Sequence, residues 1–162
     1  MLRPATTADA AALAGIYNHY VANTIITFEE EPVSAPDMAQ RITETLAAGL
    51  PWLVWVEENG PVLGYAHASK WKSRCSYRYS AETTVYLEKS ATGRGLGTKL
   101  YSAVIAELRE LKMHAIIGGV SLPNAASVAL HEKFGFQKVA HFKETGFKFG
   151  RWIDVGYWEL ML

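Results

Sequence analysis

The chain has 162 residues and a formal net charge of +0, so its electrostatics give no reason to expect nucleic acid or an anionic membrane as a partner. Hydrophobic residues make up 49% and charged residues 20%, which is typical of a globular protein, and the length suits one domain spanning 1–162. The single cysteine, Cys75, cannot form an internal disulfide bond, and no apolar stretch is long enough to span a bilayer. We therefore expect a soluble, cytoplasmic protein.

Hydrophobic periodicity predicts seven strands and four helices in the order β-α-α-β-β-β-α-β-α-β-β. The predicted strands are 2–5, 52–57, 62–70, 81–87, 115–120, 136–142 and 152–160. Capping residues predict the start of three helices, at Thr7, Ser34 and Asn124, and one further helix begins at Leu96. In chain order, the four predicted helices end near residues 21, 49, 111 and 134. An Asn-Gly pair predicts a hairpin turn at 58–61, and 71–79 is predicted to be an exposed functional loop. This order predicts an α+β fold around a mixed, mostly antiparallel sheet flanked by helices.

A glycine-rich turn at 92–97, Thr-Gly-Arg-Gly-Leu-Gly, follows one strand and opens a helix. Backbone N–H groups converge there with the positive end of the helix dipole behind them, which is a site for a phosphate or pyrophosphate. A Rossmann turn is disfavoured because no first βαβ unit carries an acid about 20 residues further on. A P-loop is disfavoured because no Gly-Lys-Ser/Thr follows the glycines.

A second motif follows at 122–136, with Leu-Pro-Asn, then Ser127, then Leu-His-Glu-Lys-Phe-Gly-Phe. With both motifs the chain resembles the GNAT acetyltransferase superfamily over almost its whole length. The resemblance implies acetyl-CoA as co-substrate, with its pyrophosphate on the turn and its pantetheine arm beside Asn124. Thr92 stands where the family usually has Gln or Arg, which removes a side-chain contact and leaves the backbone cradle intact. The implied cofactor-binding residues are Val85, Tyr86, Leu87, Gly93, Arg94, Gly95, Leu96, Gly97, Thr98, Asn124 and Ser127.

Four further segments, 16–20, 82–87, 130–132 and 148–155, are similar to the phosphinothricin and methionine-sulfoximine N-acetyltransferase branch of that family. This similarity implies a small amino acid or analogue as substrate, acetylated on its α-amine. It also implies a homodimer, which a surplus of aromatic residues in loops favours as well. These loop aromatics include Phe28, Trp71, Tyr77 and Tyr79.

Glu82 is the candidate catalytic residue, because a carboxylate beside the cofactor can take the proton that an attacking amine loses. Its alternative role is that of a solvated strand residue or an ion-pair partner. Lys72, Ser73 and Arg74 are candidates for binding the substrate carboxylate, since Arg offers a bidentate clamp. The alternative is a solvated basic loop. The candidate substrate-binding residues are Lys72, Ser73, Arg74, Glu82, Thr83 and Thr84.

The general acid stays open among His131, Tyr86 and Tyr101, and His131 is at least as well explained as a structural histidine. Asn124 can serve as an N-cap and a cofactor contact together. The five histidines show no ligand spacing with Cys or acidic residues, so we expect no metal.

Two rival functions also stay open. One is acetylation of a protein N-terminus or lysine, and the other is a non-catalytic acyl-CoA sensor that would lack the base. The sequence does not rank phosphinothricin, methionine sulfoximine and methionine sulfone as substrates.

Overall fold

The computed structural model describes residues 1–58 and 60–162, and in these residues seven strands and four α-helices follow in the predicted order. The strands are β1 (Leu2–Pro4), β2 (Trp52–Val56), β3 (Val62–Lys70), β4 (Ser80–Leu87), β5 (Ala115–Leu122), β6 (Gln137–Lys148) and β7 (Arg151–Met161). The helices are α1 (Ala10–Asn23), α2 (Ala35–Ala47), α3 (Leu96–Glu110) and α4 (Ala125–Lys133). The predicted α+β fold is confirmed. The predicted turn at 58–61 includes Asn59, which lies outside the described residues.

The strands form one sheet in the order β1-β2-β3-β4-β5-β7-β6. All neighbouring strands are antiparallel except β4 and β5, which run parallel. This parallel pairing covers only three rungs and ends where Glu82 faces Ile117. From Thr83 to Leu87, β4 keeps its pairing with β3 but has no partner on its other side within the described part of the chain. The middle of the sheet is therefore forked.

Helices cover both faces of the sheet. Helices α1 and α2 pack over one face, on a core that includes Leu13, Met38 and Tyr65. Helix α3 packs over the other face, with Leu100 and Val104 at its centre. Side chains alternate along a strand, so Ala81 and Thr83 of β4 face α3, and Glu82, Thr84 and Tyr86 face α1 and α2.

Two predicted boundaries are wrong for local reasons. Helix α1 begins at Ala10, because residues 7–9 form a 3₁₀ turn in which Asp9 accepts the Thr6 N–H at 2.8 Å. Strand β6 continues to Lys148 instead of ending at Phe142, because its pairing with β7 shifts register between Phe142 and Gly146. The bulge interrupts the alternation from which strands are predicted. Of the helices in the described residues, none has the length and apolar character needed to cross a membrane.

Candidate active site

Glu82 lies at the point where β4 and β5 separate, opposite Ile117 on their last shared rung. Its carboxylate rests over the backbone of β5 at Gly119, where an added Cβ would lie 3.2 Å from Oε1. The same Cβ would lie 3.2 Å from the Tyr157 ring, so Tyr157 forms a second wall. Trp71 packs edge-on against Tyr157, with ring centroids 5.6 Å apart. A side chain at position 119 would crowd both the carboxylate and the Tyr157 ring, so glycine leaves them room.

The electrostatics of Glu82 suit a general base. Burial raises the pKa of its carboxyl group, and the positive charge of Lys72 partly offsets this rise. Within the described residues, no donor forms a hydrogen bond to the carboxylate, so its lone pairs are available to a substrate or to water. A raised pKa makes the carboxylate a stronger proton acceptor, and it stays ionised as long as the pH is above that value.

A narrow channel of about 70 Å³ occupies the fork between the strands. Its lining residues are Ile26, Thr83, Thr84, Val85, Tyr86, Tyr101, Gly119, Val120, Ser121, Asn124, Ser127 and His131. Ile26 belongs to the loop between α1 and α2, which two long-range contacts hold in place. Ser121 Oγ donates to the Ile25 carbonyl at 2.6 Å, and the buried Lys148 ammonium donates to the Thr27 carbonyl at 2.8 Å. The loop therefore covers one end of the channel.

Asn124 has the structural role predicted from the sequence, which is to cap the N-terminus of α4. The Asn124 side-chain oxygen accepts the Ser127 N–H at 3.1 Å and so caps α4. Both residues also line the channel. The N-cap prediction is confirmed, and the position is compatible with a second role toward a bound molecule.

His131 is buried in the same wall, and its Nδ1 lies 2.7 Å from the Ser127 carbonyl oxygen. A carbonyl only accepts, so Nδ1 carries the proton and Nε2 carries the lone pair. Burial lowers the pKa of His131, which keeps the ring neutral at neutral pH. Nε2 has no hydrogen-bond partner among residues 1–58 and 60–162. In this tautomer Nε2 can accept a proton but has none to donate.

The two candidate tyrosines differ in their surroundings. Tyr101 belongs to α3 and is fully buried against the sheet, and its hydroxyl pairs with Thr83 Oγ1 at 2.7 Å. Tyr86 packs among the aromatic rings of α1. Burial raises the pKa of both phenols, so both stay protonated and able to donate. Thr83 therefore faces Tyr101, on the opposite side of β4 from Glu82 and Thr84.

The glycine turn has the shape of a backbone cradle. Gly93 and Gly95 adopt φ values of +74° and +75°, and a Cβ added at either would meet nothing within 4 Å. Gly95 is the N-cap of α3, so the next N–H groups, from Leu96 to Thr98, have no intrahelical acceptor. Arg94 is exposed and reaches Glu57 at 3.5 Å. The open space and free donors fit an anion with several oxygens.

Lys133 is a residue that the sequence reasoning missed. Its ammonium lies 3.5 Å from Thr98 Oγ1, so α4 places a cation beside the first turn of α3. A cation is unfavourable at the positive end of a helix unless an anion joins it. The only sequence signal was a basic residue just before Phe134-Gly135, which also suits the last turn of α4.

The side chains of the basic loop at 71–79 contact two different parts of the molecule. Lys72 is the cation whose charge acts on Glu82, and its ammonium lies over the Trp71 ring at 4.7 Å. Lys72, Ser73 and Arg74 also line a separate cavity of about 200 Å³ that reaches Met113. The loop thus links the surroundings of Glu82 to a second, basic recess. Among residues 1–58 and 60–162, no group of three or more His, Cys, Asp or Glu side chains is arranged to hold a metal ion.

The acetyltransferase (GNAT) domain model matches residues 2–156. The chain belongs to the GNAT acetyltransferase family. It is 39% identical to the L-amino acid N-acyltransferase MnaT of Escherichia coli, over 99% of this chain and 93% of that protein. It is 38% identical to an L-methionine sulfoximine/L-methionine sulfone acetyltransferase of Salmonella typhimurium, over 99% and 94% of the two chains.

Two solved structures share the fold over the full length of this chain. A phosphinothricin acetyltransferase of Sinorhizobium meliloti, in complex with acetyl-CoA, superposes with a TM-score of 0.97 at 36% identity and covers 88% of that chain. A ribosomal-protein-alanine N-acetyltransferase of Brucella melitensis superposes with a TM-score of 0.96 at 38% identity and covers 99%. The resemblance to the family and to its phosphinothricin and methionine-sulfoximine branch is confirmed.

Proposed function

We propose that this chain is a single-domain, acetyl-CoA-dependent N-acetyltransferase that acetylates the α-amine of a small amino acid or analogue. One observation carries the proposal: an open strand edge connects the half-buried carboxylate of Glu82 to the glycine turn. From Glu82 to Leu87 this edge is roughly 17 Å long at a strand rise of about 3.3 Å per residue. A linear cofactor with an anionic end could bind along this open strand edge.

The residues present fit acetyl-CoA. The turn from Gly93 to Thr98 offers free N–H groups and open space for a pyrophosphate, and Lys133 adds a cation. The open edge at 85–87 offers backbone groups for a pantetheine arm, which would pair like an added strand. A backbone N–H of this edge would polarise the thioester carbonyl. The relative from Sinorhizobium meliloti, with the same fold, holds acetyl-CoA.

The proposed reaction is direct transfer. The substrate amine loses a proton to Glu82, directly or through a water molecule, and its nitrogen attacks the thioester carbon. A C–N bond forms, the C–S bond breaks, and CoA leaves as a thiolate that takes up a proton. Tyr86 and Tyr101 both retain a proton near the channel, whereas His131 presents a lone pair. No covalent enzyme intermediate is needed.

Relatives support a small amino-acid substrate, and one supports a rival. MnaT and the Salmonella typhimurium enzyme are named for amino acids, whereas the Brucella melitensis protein is named for alanine of a ribosomal protein. Free thiol release from acetyl-CoA, measured with a panel of amino acids, tests the proposal. Release with at least one amino acid supports it, and no release above the blank with any of them contradicts it. The sensor alternative predicts acetyl-CoA binding with no release.

Arg74→Ala should raise KM for the amino acid and leave acetyl-CoA affinity unchanged. A charge-assisted hydrogen bond is worth roughly 1.5–3 kcal/mol, so KM should rise about tenfold or more. Steady-state kinetics measure the effect. Arg109→Ala is the control, because Arg109 lies in the last turn of α3 and lines neither the basic recess nor the channel. Equal activity on the amino acid and on its decarboxylated amine would show that Arg74 is not a carboxylate clamp.

We also propose that the protein is a cytoplasmic homodimer. Phe28, Tyr77 and Tyr79 are each more than two-fifths exposed, as the dimer hypothesis requires. The β6–β7 hairpin adds further exposed apolar side chains at the edge of the sheet. These are Val139, Phe142, Phe147, Phe149 and Trp152. A two-fold interface would bury part of this surface.

Light scattering at micromolar concentration should therefore give about twice the chain mass of 17.9 kDa. Trp152→Glu, at an exposed position of this hairpin, should shift the mass toward one chain. A mass of one chain for the unmodified protein would refute the dimer.

A further inference from the structure

A missing side chain in the middle of the sheet brings two distant strands together at Glu82. Glu82 of β4 pairs with Ile117 of β5, and two residues further along β5 Gly119 pairs with Tyr157 of β7. These positions share one face of the sheet, and β5 lies between β4 and β7. Neighbouring strands stand about 4.8 Å apart, so a residue on β5 would normally separate side chains of β4 and β7. Gly119 has no side chain, and the Glu82 carboxylate and the Tyr157 ring therefore meet over it, each 3.2 Å from where its Cβ would be.

The Tyr157 ring is held in this position from two sides. Trp71, at the start of the basic loop, packs edge-on against it with ring centroids 5.6 Å apart. Phe142 of β6 packs edge-on from another direction at 5.7 Å. Edge-to-face pairs at this distance are favourable for aromatic rings. The orientation of the ring beside Glu82 is therefore fixed by its neighbours.

We propose that Tyr157 is a positioning residue whose ring holds the Glu82 carboxylate over Gly119 and keeps water away from one side of it. The proposal rests on the role of Glu82 as base in the function proposed above. The ring acts by its bulk, because within the described part of the chain no hydrogen bond joins the Tyr157 hydroxyl to the carboxylate. A carboxylate with less water around it is a stronger base, and one held in place meets the substrate amine in a fixed geometry.

The ionisation of the site agrees with this arrangement. Burial is the larger influence on the pKa of the Glu82 carboxyl group and raises it, whereas the charge of Lys72 lowers it. Burial and the charge of Glu82 raise the pKa of the Tyr157 phenol, so Tyr157 stays neutral over the range in which Glu82 ionises. The other titratable groups on the elements around Glu82 include Lys70 and His67 of β3, Arg41 and Glu44 of α2, Glu159 of β7 and Tyr101 of α3. None of these groups changes the pKa of Glu82 detectably.

Two variants separate the ring from its hydroxyl. Tyr157→Phe keeps the ring and is the matched control for Tyr157→Leu, which removes it. NMR titration of the Glu82 side-chain carboxyl in the free protein reads the pKa of the base without turnover. Tyr157→Leu admits water to the carboxylate, so the pKa of Glu82 should fall toward its ordinary value. Tyr157→Phe should leave that pKa unchanged.

The same variants should change the pH dependence of kcat. A carboxylate of lower pKa stays ionised to lower pH, so the acidic limb should move to lower pH in Tyr157→Leu. Its kcat at neutral pH should fall roughly tenfold, because the base is no longer held in place. Acetyl-CoA affinity should not change. Tyr157→Phe should behave like the unmodified protein in all of these measurements.

A double variant shows whether the ring acts through Glu82. At high pH, where Glu82→Gln keeps a measurable rate, adding Tyr157→Leu to it should change that rate by about twofold at most. A further tenfold loss would show a general structural role and overturn the proposal. An unchanged pKa of Glu82 and an unchanged acidic limb in Tyr157→Leu would overturn it as well, and would leave the acetyltransferase function intact. Failure of the unmodified protein to acetylate any amino acid would overturn both proposals.

Discussion

Glu82→Gln is expected to lower kcat for amino-acid acetylation by about 10²–10⁴ at neutral pH, the usual cost of losing a general base. The amide keeps the shape that fits over Gly119 but cannot take a proton. The rate of thiol release at saturating substrate gives kcat. The affinity for acetyl-CoA should not change. Glu110→Gln, at the far end of α3, is the control and should keep full activity. A kcat near that of the unmodified protein would show that Glu82 is not the base.

The pH dependence of kcat provides a second test of Glu82 as the general base. Burial raises the pKa of Glu82, and the base must be ionised to work, so activity should fall as the pH drops through this raised value. In Glu82→Gln that acidic limb should be lost. The deficit of the variant should shrink at high pH, where free amine is common and needs no base. A deficit that stays constant with pH would point to a structural role for Glu82.

Gly95→Val is expected to weaken acetyl-CoA binding by about tenfold or more while the fold survives. The added side chain would occupy the space that the pyrophosphate needs at the N-terminus of α3. Calorimetry with acetyl-CoA measures the change in Kd.

A positive φ also strains any valine, so this strain must be separated from the loss of space. Gly49→Val is the matched control, because Gly49 has a φ of +73° and equally open surroundings, but lies after α2. Gly49→Val should lose stability and keep acetyl-CoA affinity. If both variants bind acetyl-CoA like the unmodified protein, the placement of the pyrophosphate is wrong.

Features with a local cause were predictable from the sequence. The cap at Asn124, the glycine turn after β4 and the order of strands and helices depend on neighbouring residues or on short periodic patterns. The fork was not predictable in this way. It exists because β5 leaves β4 after Ile117 and continues beside β7, which is a choice between partners distant in the chain.

The surroundings of the site depend on the same long-range contacts. The loop between α1 and α2 has mixed sequence signals, and its position is set by Ser121 and Lys148, which come from β5 and β6. Tyr157 reaches Glu82 only because β7 lies beside β5. A cavity lined by α2 and by strands β2, β3 and β4 combines distant segments, so no single segment of sequence reveals it. Residue types at the site could be predicted, but most of their neighbours could not.

The central claim is that the acetyl group goes to the α-amine of a free amino acid. The most direct measurement offers the protein acetyl-CoA with equal concentrations of L-methionine sulfone and a short peptide that begins with alanine, and identifies products by mass spectrometry. We expect N-acetyl-methionine sulfone to dominate and to disappear in Glu82→Gln at neutral pH. Acetylated peptide as the main product would support the protein N-acetyltransferase alternative instead, and no acetylated product of either kind would contradict the proposed activity.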